Sequence, residues 1–207
     1  MTSPRRRDAV ANREALLEAA ARVLRTAPDA SIDAIAAEAG LSRRAIYGHF
    51  PSRDALVSEL LARGTERVSA AVADLADPDP ARLVARLGFA LWREVAHVRL
   101  VARSLVTGPW EADVAAGMAP VRRSLREALA RGRDAGVFRR DVDVDVTARL
   151  IEETAIAVLD VAVDGALGDD EAARLVAVSA LGLAGLGAEQ AAAVAEDARA
   201  ADRGEIA

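Results

Sequence analysis

Apolar residues recur every three or four positions through most of the chain, and turn residues cut this pattern into helices. Leu16, Leu17, Ala20, Val23, Leu24 and Ala27 share one helical face, which Pro28-Asp29 ends. Ser31 is a good N-cap for a short second helix, with Asp33 near its positive end. Ile32, Ile35, Ala36 and Ala39 then fall at i, i+3, i+4 and i+7, and Gly40 supplies the stop. Ser42 caps a third helix of under two turns, running to about His49. Pro51-Ser52 breaks again, and Ser52 caps a long helix from Arg53 with the stripe Leu56, Val57, Leu60, Leu61, Gly64, Val68, Ala71 and Leu75. Asp77-Pro78-Asp79-Pro80 is a loop. Further helices are expected near 81–98, 99–107, 111–136, 145–167 and 169–187, punctuated by Gly108-Pro109, Gly136 and Gly165/Gly168. The one alternating run, 137–146, is too acidic and too short for a strand. Residues 188–207 are Ala-rich and charged and read as a frayed helix or a disordered tail. The expectation is an all-α chain of about nine helices: a helix-turn-helix three-helix bundle at 1–55, a larger helical domain at 56–187, and that tail.

Composition strengthens the helical reading. Roughly a quarter of the 207 residues are Ala, the best helix former and a poor strand former. There is no cysteine, which excludes a disulfide framework and a thiolate metal site. All 27 basic residues are Arg. The start of the chain lacks the apolar core of a signal peptide, and the most apolar helical run, 154–164, is too short to span a bilayer, so a soluble cytoplasmic protein is expected.

The net charge of −5 argues against a nucleic-acid partner until it is divided. Residues 1–55 hold nine Arg against seven acids, a balance of +2, whereas the remaining 152 residues hold 18 Arg against 25 acids, a balance of −7. The basic excess sits with a short helix, a Gly-containing turn and a second short helix, the layout of a helix-turn-helix. This is the electrostatic footprint of phosphate contact. The segment from Ser31 to Leu56, SIDAIAAEAGLSRRAIYGHFPSRDAL, resembles the DNA-binding signature of TetR-family transcriptional regulators: Ile35-Ala36, Ala39-Gly40, Ser42, Tyr47-x-His49-Phe50 and Arg53-Asp54-x-Leu56 match it in order and spacing. Arg53 departs from the Lys usual in the family, with phosphate attraction kept.

Arg43 and Arg44 lie in the first turn of the third helix, the end that enters a major groove, where Arg pairs bidentately with guanine. Arg44 is favoured as the base reader and Arg43 for phosphate, with the reverse as the alternative. Ala45 is small enough to allow close approach, and its methyl suits a thymine methyl. Tyr47 and His49 resemble the family's phosphate-contacting pair. Ser31, Ser42 and Ser52 are caps whose helix N-termini also suit a phosphate. Ile46 and Phe50 are core. Arg5, Arg6 and Arg7 read as a DNA-touching arm or as a solvated tail.

The resemblance further implies a homodimer held by the last two helices, on a near-palindromic double-stranded DNA operator, and an effector pocket among the helices between. Two recognition helices must stand roughly 34–36 Å apart, so something must hold them. The expected interface is Thr154, Val158, Val161, Leu175, Val178, Ser179, Gly182 and Leu186. Phe89, Trp92, Trp110 and Met118 are candidate walls for an unidentified small apolar or aromatic effector. His97, Glu153 and Asp160 are candidate polar anchors, against the plainer readings of core and solvated stripe. The implied function is that of a transcriptional repressor released by its effector. Alternatives are a helical protein-interaction module and a regulator without an effector. No cofactor or metal is expected: Asp141-x-Asp143-x-Asp145 with Glu152 copies a calcium loop, but Val146 stands where that loop needs Gly. Two His, no Cys and no phosphate-cradling Gly loop make an enzyme a poor reading.

Overall fold

In the computed structural model, which describes residues 4–96, 102 and 110–202, ten helices and no strand occur among the described residues. They are α1 (Pro4–Leu24), α2 (Ile32–Glu38), α3 (Arg43–His49), α4 (Arg53–Ala73), α5 (Pro80–Val95), α6 (Glu111–Gly117), α7 (Ala119–Asp134), α8 (Val144–Val163), α9 (Asp169–Leu183) and α10 (Ala188–Asp202). The described chain divides into two compact units, residues 4–65 with 110–114, and residues 66–96 with 115–202. The first unit thus ends at 65 rather than 55, because Leu56, Val57 and Leu61 of α4 turn into the N-terminal core.

Large side chains fill that N-terminal core: Leu16, Leu17 and Leu24 of α1, Ile32 and Ile35 of α2, Ile46 and Phe50 at α3, and the three α4 residues just named. Each short element starts on its serine. Ser31 Oγ accepts the Ala34 N–H at 3.2 Å, Ser42 Oγ that of Ala45 at 3.2 Å, and Ser52 Oγ that of Ala55 at 3.1 Å. Gly40 sits at φ +67°, which lets the Gly40 and Leu41 amides return to the Ala37 and Ala36 carbonyls at 3.0 and 2.9 Å and close α2. Leu41 then packs against the core as a plug between α2 and α3.

The second unit is built around α5, which packs on α7, α9 and α10. Asp79 starts α5, its Oδ1 accepting the Ala81 and Arg82 amides at 2.8 and 3.3 Å, with Pro80 in the first turn, where a missing N–H costs nothing. Ala side chains make much of the buried surface, so helices lie close: a Cβ on Gly88 would stand 3.4 Å from Ala177 Cα of α9.

Three expectations are corrected. The helix expected over 111–136 is broken at Met118, because Pro120 lacks an N–H and its ring excludes the carbonyl four residues back. Residues 188–202 are not a frayed tail: α10 buries Ala191, Ala195 and Ala198 against the core. Its charged side is tied down as well, with Arg82–Asp197 at 3.1 Å, Arg86–Asp202 at 2.8 Å and an Arg199–Asp170 pair. The helix expected to 167 ends at Val163. The helix expected at 99–107 lies outside the described residues. No described helix is long and apolar enough to cross a membrane.

Candidate nucleic-acid interface

Helix α3 has two faces. Ile46 and Phe50, one turn apart, are fully buried against α1 and α4 residues of the N-terminal core. That leaves Arg43, Arg44 and Tyr47 exposed, with Ala45 and His49 half-buried beside them. Ser42 fixes the N-terminus, so both arginines stand in the first turn, where the free backbone N–H groups add positive potential. Arg43 is partly occupied: its guanidinium lies 3.3 Å from Asp33 Oδ2 and 5.7 Å from the centre of the Tyr47 ring. Arg44 has no hydrogen bond or ion pair among the described residues. It is the first-turn cation free to meet a base edge.

A second arginine cluster holds α3 from below, and it was not legible in the sequence. The guanidinium of Arg13 of α1 stands over the Phe50 ring, 4.4 Å from its centre, and donates to the His49 carbonyl at 3.0 Å, the C-terminal end of α3. It also pairs with Glu59 of α4, which lies 3.4 Å from Arg63, and Arg63 forks onto Glu14. The Arg63 hydrogen bonds hold the Glu14 carboxyl below its ordinary value. Arg13 and Glu59 are 46 residues apart and Arg63 and Glu14 49 apart, so no local pattern reveals those two pairs. Arg53 is likewise engaged inside the unit: Nε donates to the Ala30 carbonyl at 2.9 Å, Nη2 donates to the Pro28 carbonyl, and the guanidinium lies 5.8 Å from the Trp110 ring centre.

Residues 16–60 match the family model described as bacterial regulatory proteins, tetR family. No curated protein is a significant match to the chain. Among solved structures, RolR in complex with resorcinol is 22% identical with a TM-score of 0.65, covering 91% of this chain and 95% of that one. SmeT, the repressor of the Stenotrophomonas maltophilia multidrug efflux pump SmeDEF, is 22% identical with a TM-score of 0.64, covering 82% and 88%. LfrR from Mycobacterium smegmatis, in complex with proflavine, is 22% identical with a TM-score of 0.63, covering 82% and 93%. The match to the tetR family model thus falls within the N-terminal unit, and the chain has the fold of these solved structures. The signature residues fall where chemistry can use them: Ile35, Ala36, Phe50 and Leu56 inside, and Tyr47 out.

The candidate pocket residues pack on different cores. Trp110 packs on the N-terminal core, whereas Phe89 and Met118 pack on the C-terminal one. Trp92 is buried in the C-terminal unit, and its indole Nε1 has no acceptor among the described residues. Asp160 is half-buried on α8; Glu153 is exposed and lies 3.7 Å from Arg149. His97 lies outside the described residues. Of the interface residues, Val158 and Leu186 are corrected to interior positions, 5% and 6% exposed in their own chain. Val158 lies on the inward side of α8, and Leu186 lies in the turn between α9 and α10, packed into the C-terminal core. Val161 and Leu175 stay 44% and 39% exposed, Gly182 is exposed, and Thr154, Val178 and Ser179 are half-buried. Val146, Leu150 and Ala157 extend the exposed apolar stripe along α8. The four acids of the calcium-like spacing are dispersed: Asp141 pairs with Arg139, Asp143 caps α8, Asp145 pairs with Arg126, and Glu152 with Arg122. No metal-holding group of His, Cys, Asp and Glu occurs among the described residues.

Proposed function

We propose that the chain is a sequence-specific transcriptional repressor that binds a near-palindromic operator as a homodimer and is released by a small aromatic or apolar effector. The observation that carries the reading is α3: a serine-capped helix with its apolar face locked inside and Arg44, Arg43 and Tyr47 presented outward. Arg44 reads a base edge in the major groove, and Arg43, Tyr47 and His49 grip the backbone. The exposed stripe of α8, with Leu175, Ser179 and Gly182 of α9, joins two copies and sets the spacing of the two readers.

The effector enters the C-terminal unit. Trp92 supports this, since a buried indole N–H usually has an acceptor, and a bound hydroxyl or carbonyl supplies one. RolR with resorcinol and LfrR with proflavine are aromatic-ligand complexes on the same fold. An effector that favours a dimer with misplaced readers lowers operator affinity by its differential affinity for the two states.

Selection of DNA from a random pool by the purified chain tests the reading, and two half-sites about 10 base pairs apart are expected. Arg44→Ala is expected to cost about 1–3 kcal/mol of operator binding and to relax preference at one base pair. Specific affinity unchanged in Arg43→Ala/Arg44→Ala refutes the groove assignment. Sedimentation of Leu150→Glu/Val161→Glu, expected to be monomeric, tests the interface.

A further inference from the structure

We propose that Arg53 is a positioning residue for the reader and not one of its phosphate ligands. The inference rests on the reading of this domain as a DNA reader. Arg53 opens α4, at the signature position where phosphate attraction is expected. Two of its five N–H donors are held by backbone carbonyls. Nε donates to the Ala30 carbonyl at 2.9 Å and Nη2 to the Pro28 carbonyl, while the guanidinium lies 5.8 Å from the Trp110 ring centre. The side chain is half-buried.

The two carbonyls belong to the turn between α1 and α2. Pro28 has no N–H, and the hydrogen bonds this stretch makes within itself end with the Ala30 amide on the Ala27 carbonyl at 3.0 Å. Ala30 directly precedes Ser31, the cap on which α2 starts. Arg53 therefore pins the approach to α2, and through α2 and its Leu41 plug the angle at which α3 stands. A planar fork bonds two carbonyls while its charge stays within reach of an indole; the compact ammonium of Lys has no such fork. Swinging the side chain away from this seat would break both carbonyl bonds and remove the cation from Trp110.

The phosphate and staple roles separate in salt dependence. Losing one phosphate contact from each subunit of the dimer lowers the slope of log affinity against log salt by about 1.8, which is about 0.9 per contact. A loosened staple displaces the line and leaves its slope. Full-length wild type, Arg53→Gln, Arg53→Lys and Trp110→Leu are compared by operator titration over a salt series and by thermal unfolding followed by circular dichroism. Expected are lowered unfolding temperatures in all three variants, with binding lines parallel to wild type. A slope lowered by about two units in Arg53→Gln overturns the proposal. So does an unchanged unfolding temperature in Arg53→Gln. If the wild type selects no DNA sequence, the regulator reading fails by itself, and the unfolding data still decide whether the staple exists.

Discussion

The two units solve the same problem, burying helical faces, with opposite materials. Among the described residues, three of the thirteen that form the N-terminal core are Ala, against eleven of twenty-two in the C-terminal core. Large residues let short helices of seven residues hold their places, because Ile35, Ile46 and Phe50 each fill a distinct space. Alanine instead brings long helices close, so stability there depends on fit along whole helix lengths and on ionic ties at their edges. The N-terminal core should therefore fail when emptied and the C-terminal core when overfilled. Trp110 in one unit and Trp92 in the other offer a separate fluorescence probe for each.

The largest effect is expected for Phe50→Ala, about 3–5 kcal/mol, since it opens a cavity under α3 and removes the ring beneath Arg13. Denaturant unfolding read by Trp110 in a Trp92→Phe background measures it. Equal shifts at the two tryptophans would show one cooperative structure and break the contrast.

Gly132→Ala should follow, at about 3 kcal/mol. An added Cβ would stand 2.1 Å from Phe138 Cδ2, and that ring is held between α7 and the chain leading to α8. The same titration read by Trp92 in a Trp110→Phe background checks it. A variant as stable as its parent would mean that the Ala-rich unit tolerates overfilling.

Asp77→Asn tests the ionic ties and should cost about 1.5 kcal/mol at neutral pH. Asp77 is buried and receives Arg82 Nε at 2.7 Å, Arg82 Nη2 at 3.0 Å and the Asp79 amide at 2.9 Å, with Arg86 at 3.4 Å. Burial works to raise its carboxyl, but those hydrogen bonds and charges together hold it below its ordinary value. A carboxyl whose folded value is depressed contributes stability above its unfolded value, about 3.9, and loses it as pH falls through the folded value. Wild type should thus lose stability more steeply than Asp77→Asn below about pH 4, in urea midpoints collected across pH. Parallel profiles would remove Asp77 from the account.

Ser42→Ala is the smallest change, about 1 kcal/mol of the N-terminal unit, through loss of the α3 cap. It sharpens the contrast from the other side, because a two-turn helix depends on its cap more than a sixteen-residue one does. An equal or greater cost in Asp79→Ala, at the start of α5, would reverse that ranking.

The N-terminal unit was the more legible of the two for a physical reason. Its helices are bounded by local chemistry, Ser31, Gly40, Ser42 and Ser52, and its core positions repeat within one turn, so neighbours along the chain carry the information. In the C-terminal unit the local signals misled. Helix former content ran through Met118 despite Pro120, and the Ala-rich stretch 188–202 carried Val194 as its one apolar residue larger than Ala to announce that it is packed. Val158 and Leu186 read as interface because apolarity alone does not tell a partner in the same chain from one in another copy.

By itself the sequence determined the all-helical architecture, the boundaries of α2 and α3, and which face of α3 turns inward, since capping, helical periodicity and glycine conformation act over a few residues. The tertiary structure decided what the arginines do. Arg13, Arg44 and Arg53 are chemically identical and all belong to the basic N-terminal unit. Only folding sends Arg13 to Phe50 and His49, Arg53 to two carbonyls and Trp110, and leaves Arg44 free. A guanidinium's role is set by the acceptors within its reach, and those lie tens of residues away along the chain.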